Sequence, residues 1–206
     1  MADSPRCLIV ISENGPYVVT GQVTLTRRAP AVSTHGEPLE WDLVGAEGVD
    51  YEMGERYELC RCGRSKDKPF CDGTHQAVDF DGTLTAERGP SVQRRKTFVG
   101  TGIVMTDDPT LFAAAGFCRT RYTDVWKMIS ATGDPESRER LKRMVANCPS
   151  GRLQFSLRES SEAVELEYKP SISTIVDGPL WAQGGIELRA PHGFRYEPQN
   201  RMTLCR

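Results

Sequence analysis

Residues 60–75 decide the fold, because they place three cysteines and one histidine within one short segment. The stretch reads Cys60-Arg61-Cys62-Gly63-Arg64-Ser65-Lys66-Asp67-Lys68-Pro69-Phe70-Cys71-Asp72-Gly73-Thr74-His75. Pro69 and the Asp72-Gly73 pair supply the bends that turn the side chains inward. Thiolates and an imidazole at this density predict a metal site. Its ligands come from one segment, so we expect it to form without help from the rest of the fold.

The spacing of the candidate ligands bears on which metal they bind. Structural zinc sites accept a Cys3His set, but their cysteine pairs are usually separated by two to four residues. The C-x-C spacing instead puts Cys60 and Cys62 on a very short arc of backbone. In a [2Fe-2S] centre these two thiolates share one iron, while Cys71 and His75 hold the other. A structural zinc knuckle is the alternative interpretation of the same four residues.

The stretch fills every position of the pattern C-x-C-x2-(S/T)-x3-P-x-C-D-G-(S/T)-H, with Thr74 at the variable Ser/Thr position. This pattern resembles the signature of the CDGSH iron-sulfur family, also called the NEET type. The resemblance implies one [2Fe-2S] cluster. The residues that it identifies as ligands are Cys60, Cys62, Cys71 and His75.

Composition favours a chain of many turns and short elements. The 206 residues suit one larger domain or two small ones, hydrophobic residues make up 38%, and there are 19 glycines and 13 prolines. A net charge of -2 argues against nucleic acid as a partner, because phosphate binding needs a basic surface. We interpret the Arg94-Arg95-Lys96 run as a solvated strand edge.

The cysteine count and the apolar runs predict the compartment. The apolar run at residues 7–11 is too short for the core of a signal peptide, and no stretch approaches the length of a membrane span. Seven cysteines are an odd number, and three of them lie in the motif. Reduced thiols fit a reducing compartment, so we expect a cytoplasmic protein with no membrane partner.

Hydrophobic alternation and capping residues predict mainly β structure with a small helical part. One helix begins at Thr123 or Asp124, and a second begins at Asp134 and ends before Pro149. Residues 29–50 are predicted to form a loop, and residues 159–162 a hairpin turn. Strands are predicted at residues 7–11, 17–20, 22–27, 57–59, 97–106, 152–158 and 163–168.

A second motif lies in the helical part and lacks half of its ligands. Residues 111–118 and 148–151 resemble a ferredoxin-like insert found beside CDGSH motifs, which reads roughly L-C-x-H-A-G-F-C and later C-P-S-G. Phe112 stands where that pattern has cysteine, and Ala114 stands where it has histidine. Only Cys118 and Cys148 remain, and a four-iron cluster needs about four ligands. We interpret the segment as degenerate, with a Cys118-Cys148 redox pair as the alternative.

The chain also contains an internal repeat. Residues 15–25 align with residues 178–188, and residues 56–61 align with residues 201–206. Each copy is predicted to be a β-hairpin that feeds a cluster loop, and the two copies are predicted to pack as a pseudo-symmetric pair.

The second copy stops one residue before its next expected cysteine, so Cys205 alone cannot build a second cluster. Truncation is the favoured explanation, because the match persists to Arg206. Evolved loss of the second motif and an odd exposed thiol at Cys205 are the alternatives.

These observations give a mainly β or α+β fold of β-hairpin modules with a small ferredoxin-like insert. The predicted parts are a β module with the cluster loop at residues 1–94, the degenerate segment at 95–170 and a partial second repeat at 171–206. The predicted function is electron transfer, or cluster transfer or sensing, with an unidentified redox or cluster-acceptor protein. A structural zinc interaction module is the alternative. No catalytic constellation accompanies the motif, and His35 and His192 are interpreted as loop residues.

Overall fold

The computed structural model describes residues 7–44, 51, 53–158, 160 and 162–206, and the fold is mainly β as predicted. The chain divides into two compact units. The first contains Met1–Arg28, Leu43–Arg88 and Tyr168–Arg206, and the second contains Ala29–Asp42 and Gly89–Glu167. Over the described ranges, no helix is both long and apolar enough to cross a membrane.

Twelve strands and two α-helices are present in the described residues. The helices are α1 (Val125–Met128) and α2 (Pro135–Ala146). The strands are β1 (Leu8–Ile11), β2 (Tyr17–Thr20), β3 (Thr24–Val32), β4 (Pro38–Leu43), β5 (Arg56–Leu59), β6 (Lys96–Val99), β7 (Ile103–Asp107), β8 (Leu153–Leu157), β9 (Ser171–Ile175), β10 (Leu180–Gln183), β11 (Glu187–Arg189) and β12 (Arg201–Leu204).

The first unit contains two sheets that repeat the same strand pairing. One sheet has the order β11-β1-β2-β5, and the other has the order β12-β10-β9-β3. Strand β2 pairs antiparallel with β5, with Tyr17 opposite Leu59. Strand β10 pairs antiparallel with β12, with Leu180 opposite Leu204. The aligned segments of the internal repeat therefore share one register.

The two copies exchange their third strands. Strand β11 of the second copy lies parallel to β1, with Leu8 opposite Glu187. Strand β3 of the first copy lies parallel to β9, with Thr24 opposite Ser171. In the repeat alignment β3 corresponds to β11, so each copy completes the sheet of the other. This reciprocal pairing agrees with the predicted pseudo-symmetric pair.

Alternating apolar residues of both copies form a single core in the first unit. The β-branched and aromatic residues that favour strands also point alternately inward, as the two-residue period of a strand requires. The fully buried members from the first copy include Ile9, Val19 and Leu25, and those from the second include Ile172 and Leu180.

The second unit packs α1 and α2 against the antiparallel sheet β6-β7-β8. Asp124 caps α1 by accepting a hydrogen bond from the amide of Lys127 (2.9 Å), and Asp134 caps α2 by accepting one from the amide of Ser137 (2.8 Å). Both helix starts were predicted from these residues. Helix α2 ends at Ala146, before Pro149 as expected.

Three predictions of secondary structure are wrong. Residues 29–50 were predicted to form a loop, but residues 29–32 are the end of β3 and Pro38–Leu43 is β4, so the two strands form a hairpin there. Residues 45–50 lie outside the described residues. The predicted strand at 97–106 is a hairpin of β6 and β7, with Gly102 at a positive φ of 72° between them. Residues 163–168 form no strand, because the alternating Val164 and Leu166 are exposed rather than buried.

One further prediction falls partly outside the described residues. The hairpin turn at 159–162 includes Glu159 and Ser161, whose positions are not described.

Candidate metal centre

Residues 60–75, the cluster loop, fold back on strand β5, and this brings Cys71 beside Cys60. The amide of Cys60 donates to the carbonyl of Pro69 (2.8 Å), and the amide of Cys71 donates to the carbonyl of Glu58 (3.0 Å). Leu59 and Phe70 form an antiparallel bridge between these two bonds. A short two-stranded arrangement therefore closes the loop, and it places the first and third cysteines on adjacent backbone.

Two polar side chains fix the interior of the loop. The buried hydroxyl of Ser65 donates to the carbonyl of Phe70 (2.7 Å) and accepts a hydrogen bond from the amide of Asp67 (3.0 Å). The carboxylate of Asp72 accepts hydrogen bonds from the amides of Lys66 (2.8 Å) and Thr74 (3.0 Å). These donors, that of Lys66 above all, hold the pKa of Asp72 well below its ordinary value.

The four predicted ligands lie as two close pairs. The sulfur atoms of Cys60 and Cys62 are 3.8 Å apart, and the Cys71 sulfur is 3.4 Å from Nδ1 of His75. Two thiolates on one tetrahedral metal lie about 3.8 Å apart, and a thiolate and an imidazole nitrogen about 3.5 Å, given bonds of roughly 2.3 and 2.0 Å. Each pair therefore has the spacing of two ligands on one metal ion.

The two pairs do not merge into one tight group. Among the described residues, no three His, Cys, Asp or Glu side chains are gathered closely enough to hold a single metal ion. Cys60 is buried, while Cys62, Cys71 and His75 are half-buried. Burial raises the pKa of the Cys71 thiol, so a bound cation is needed to favour its thiolate.

Comparison with known families identifies the loop and the segment that follows it. Residues 14–76 match the family model described as "Iron-binding zinc finger CDGSH type", and residues 98–158 match the one described as "Divergent 4Fe-4S mono-cluster". The chain contains an iron-binding CDGSH domain. A comparison with curated proteins found no match. The predicted family resemblance and the predicted ferredoxin-like insert are both confirmed.

In the divergent 4Fe-4S segment, the guanidinium of Arg152 interacts with Phe112, Cys118 and Cys148, which stand at predicted ligand positions. Phe112 is exposed, and the Arg152 guanidinium lies 5.3 Å from the centre of its ring. Cys118 and Cys148 are half-buried against the core of the second unit. Burial and the neighbouring Cys148 raise the pKa of the Cys118 thiol, and both thiols interact electrostatically with Arg152.

The buried carboxylate of Asp107 holds the Arg152 side chain in this position. The Nε and Nη2 atoms of Arg152 donate to the two carboxylate oxygens of Asp107 at 2.6 and 3.0 Å. The indole of Trp126 also donates to Asp107 (3.1 Å), and its ring lies 5.3 Å from the guanidinium. The Asp107 hydrogen bonds raise the pKa of Arg152, so the arginine stays charged. The ion pair was not predicted, because its partners are distant in sequence.

Sequence reasoning also missed Arg61 in the CDGSH domain. The motif treats this position as variable, yet the Arg61 side chain contacts two segments outside the cluster loop. A charged residue between two candidate ligands could have drawn attention to this position. Only the fold shows that its guanidinium binds the carbonyls of Ser12 and Gly82.

Proposed function

We propose that Cys60, Cys62, Cys71 and His75 hold one [2Fe-2S] cluster, and that the protein passes single electrons or the whole cluster to an acceptor protein. The observation that carries this proposal is the division of four donor atoms into two pairs. A [2Fe-2S] cluster needs two protein ligands on each iron, whereas a zinc knuckle needs four donors around one ion. Each pair has the spacing of two ligands on one ion, and no three donors among the described residues gather around a single ion, which together support the two-iron arrangement.

The chemistry that a bound cluster supplies is one-electron exchange. The protein contributes the rigidity of the site through the backbone bonds of Pro69 and Glu58 and the Asp72 carboxylate. Cys60 is kept from water by burial, while His75 remains half-exposed at the edge of the site. Neutral histidine in place of a thiolate removes negative charge beside its iron, which raises the reduction potential above that of an all-cysteine centre.

The exposed surface of the cluster loop indicates the kind of acceptor. Arg64, Lys66 and Lys68 are exposed, and these three cations outnumber the two exposed carboxylates of the loop, Asp67 and Asp72. The chain as a whole has a net charge of -2, so this cationic rim differs from the average surface. An acceptor with an acidic patch would be steered to it, and its association would slow as ionic strength rises.

The test is a visible absorption spectrum of the protein purified without added metal, together with iron and zinc analysis. We expect red-brown protein with about two irons per chain, as one [2Fe-2S] cluster requires. Cys62→Ser should lose the absorption. Cys205→Ser is the matched control, because Cys205 aligns with Cys60 in the second copy and is exposed.

Two results would contradict the proposal. Colourless protein with one zinc per chain would make the same four residues a structural knuckle. About six irons per chain would place a further four-iron cluster in the divergent segment, where we propose that Cys118 and Cys148 hold none.

A further inference from the structure

Arg61 is a buried cation between two candidate ligands. Its side chain lies in the C-x-C segment between Cys60 and Cys62, and the residue is only 9% exposed. Nη1 donates to the carbonyl of Ser12 (3.2 Å), and Nη2 donates to the carbonyl of Gly82 (2.6 Å). One guanidinium thus binds a turn that precedes the cluster loop in sequence and a segment that follows it.

The surroundings of the guanidinium are closely packed. It lies 5.7 Å from the centre of the Tyr17 ring and 5.4 Å from that of Phe80, so two aromatic rings contact the charge. A Cβ at Gly82 would lie 2.8 Å from Nη1 of Arg61 and 2.7 Å from Cα of Asn14. Only glycine fits at this position with the arginine in place.

Both segments that Arg61 binds also reach His75. The turn that contains Ser12 brings Gly15 so close that a Cβ there would lie 3.8 Å from Nε2 of His75. The amide of Phe80 donates to the carbonyl of His75 (3.4 Å). Arg61 therefore connects the backbone that carries the first ligand pair to the two segments that border the histidine of the second pair.

The second copy of the repeat contains an arginine at the corresponding position. Arg206 aligns with Arg61, and its guanidinium donates to the carbonyls of Gly178 (2.9 Å) and Ile175 (3.0 Å). Ile175 aligns with Ser12 in strand register, so these two carbonyls are equivalent. Gly178 aligns with Gly15 and not with Gly82, so the link from the turn to a later segment is made by Arg61 and not by Arg206. Binding of the turn by an arginine is a property of the repeated hairpin, but in the first copy the arginine also lies beside the candidate ligands.

We propose that Arg61 is a positioning residue that fixes the Cys60-Cys62 pair relative to the Cys71-His75 pair. This inference rests on the proposed function, since it assigns Arg61 to the same metal site. Arg61 shares its two peptide units with Cys60 and Cys62, so holding its guanidinium on the carbonyls of Ser12 and Gly82 also restrains the backbone from which both cysteine side chains project. A residue that orients metal ligands in this way governs how long the metal stays bound.

The experiment measures the release of bound metal to a chromogenic chelator from wild-type protein and the Arg61→Met, Arg61→Lys and Arg206→Met variants. We expect release from Arg61→Met to be about 10- to 100-fold faster than from wild type, the usual effect of losing a group that supports a ligand. Arg61→Lys should give partial rescue, because lysine keeps the charge but lacks the planar fork that reaches both carbonyls.

Arg206→Met is the matched control, and visible circular dichroism is the readout that a purely structural role would not change. The control removes an arginine whose guanidinium binds carbonyls of the second copy, so it should lower thermal stability and should change metal release and the visible dichroism much less than Arg61→Met does. Arg61→Met should change both. If Arg61→Met does not fold, the release rate of Arg61→Lys tests the proposal instead. Metal release at the wild-type rate from either variant would overturn the proposal.

Two further outcomes separate this inference from the proposed function. Equal acceleration in Arg206→Met and Arg61→Met would show a general effect of the hairpin and would overturn the role of Arg61. Wild-type protein that holds zinc would contradict the proposed [2Fe-2S] site, while the same comparison of release rates would still decide the role of Arg61. Wild-type protein that binds neither iron nor zinc would refute both.

Discussion

Replacing Arg152 by methionine should destabilise the second unit strongly. The change removes the guanidinium that neutralises Asp107, whose side chain is only 5% exposed, and leaves a buried carboxylate with the Trp126 indole as its remaining described side-chain donor. Breaking a buried pair by removing one partner costs about 3–5 kcal/mol. For a chain of this size the loss corresponds to a fall in melting temperature of roughly 6 to 20 °C.

Urea unfolding followed by tryptophan fluorescence measures this loss, because Trp41 and Trp126 both belong to the second unit. Lys127→Met is the control, since Lys127 is exposed and its ion pair with Asp124 contributes less than about 1 kcal/mol. The double variant Asp107→Asn with Arg152→Met should recover part of the loss, because no uncompensated charge remains. A free energy of unfolding for Arg152→Met within about 1 kcal/mol of wild type would refute the reasoning.

Three further changes test other parts of the structure. His75→Cys should make the bound cluster longer-lived in acid, since a histidine ligand must be neutral to bind iron and protons therefore compete with the metal for it; equal decay of the visible absorption would contradict this. Gly82→Ala should cost about 1–3 kcal/mol in thermal unfolding, because its Cβ would meet Asn14 backbone at 2.7 Å; an unchanged transition would count against this packing. The double variant Cys118→Ser with Cys148→Ser should keep the wild-type iron content, and a loss of iron would instead indicate a metal site there.

The sequence predicted the features that depend on short-range spacing. Both helix starts followed from Asp124 and Asp134, whose carboxylates accept the amide hydrogen bonds of the first turn. The C-x-C spacing pointed to Cys60 and Cys62 as partners on one metal, and their sulfur atoms are 3.8 Å apart. Their role as ligands stays a prediction. In each case the physical cause acts over a few residues, so the pattern is visible in the chain.

The hairpin of β3 and β4 could not be predicted in this way. Its residues show no clear alternation of buried and exposed positions, and it contains prolines that usually indicate loops or edge strands. The stabilising contacts come from elsewhere in the chain. The Trp41 indole donates to the carbonyl of Asn147 (2.9 Å), and its ring lies 4.7 Å from that of Phe117. Tertiary contacts of this kind override local propensity.

The expectation that the metal site forms without help from the rest of the fold stays a prediction, but in the structure the strand leading into the site belongs to a sheet built from both copies. The strand β5 that leads into Cys60 pairs with β2, and the same sheet is completed by β11 from the second copy. The Tyr17 hydroxyl donates to the carbonyl of Cys205 (2.8 Å), while its ring contacts the Arg61 guanidinium. Local spacing therefore supplies the four candidate ligands. The surface that orients them comes from both copies of the repeat, because the third strand of each copy pairs with a strand of the other copy.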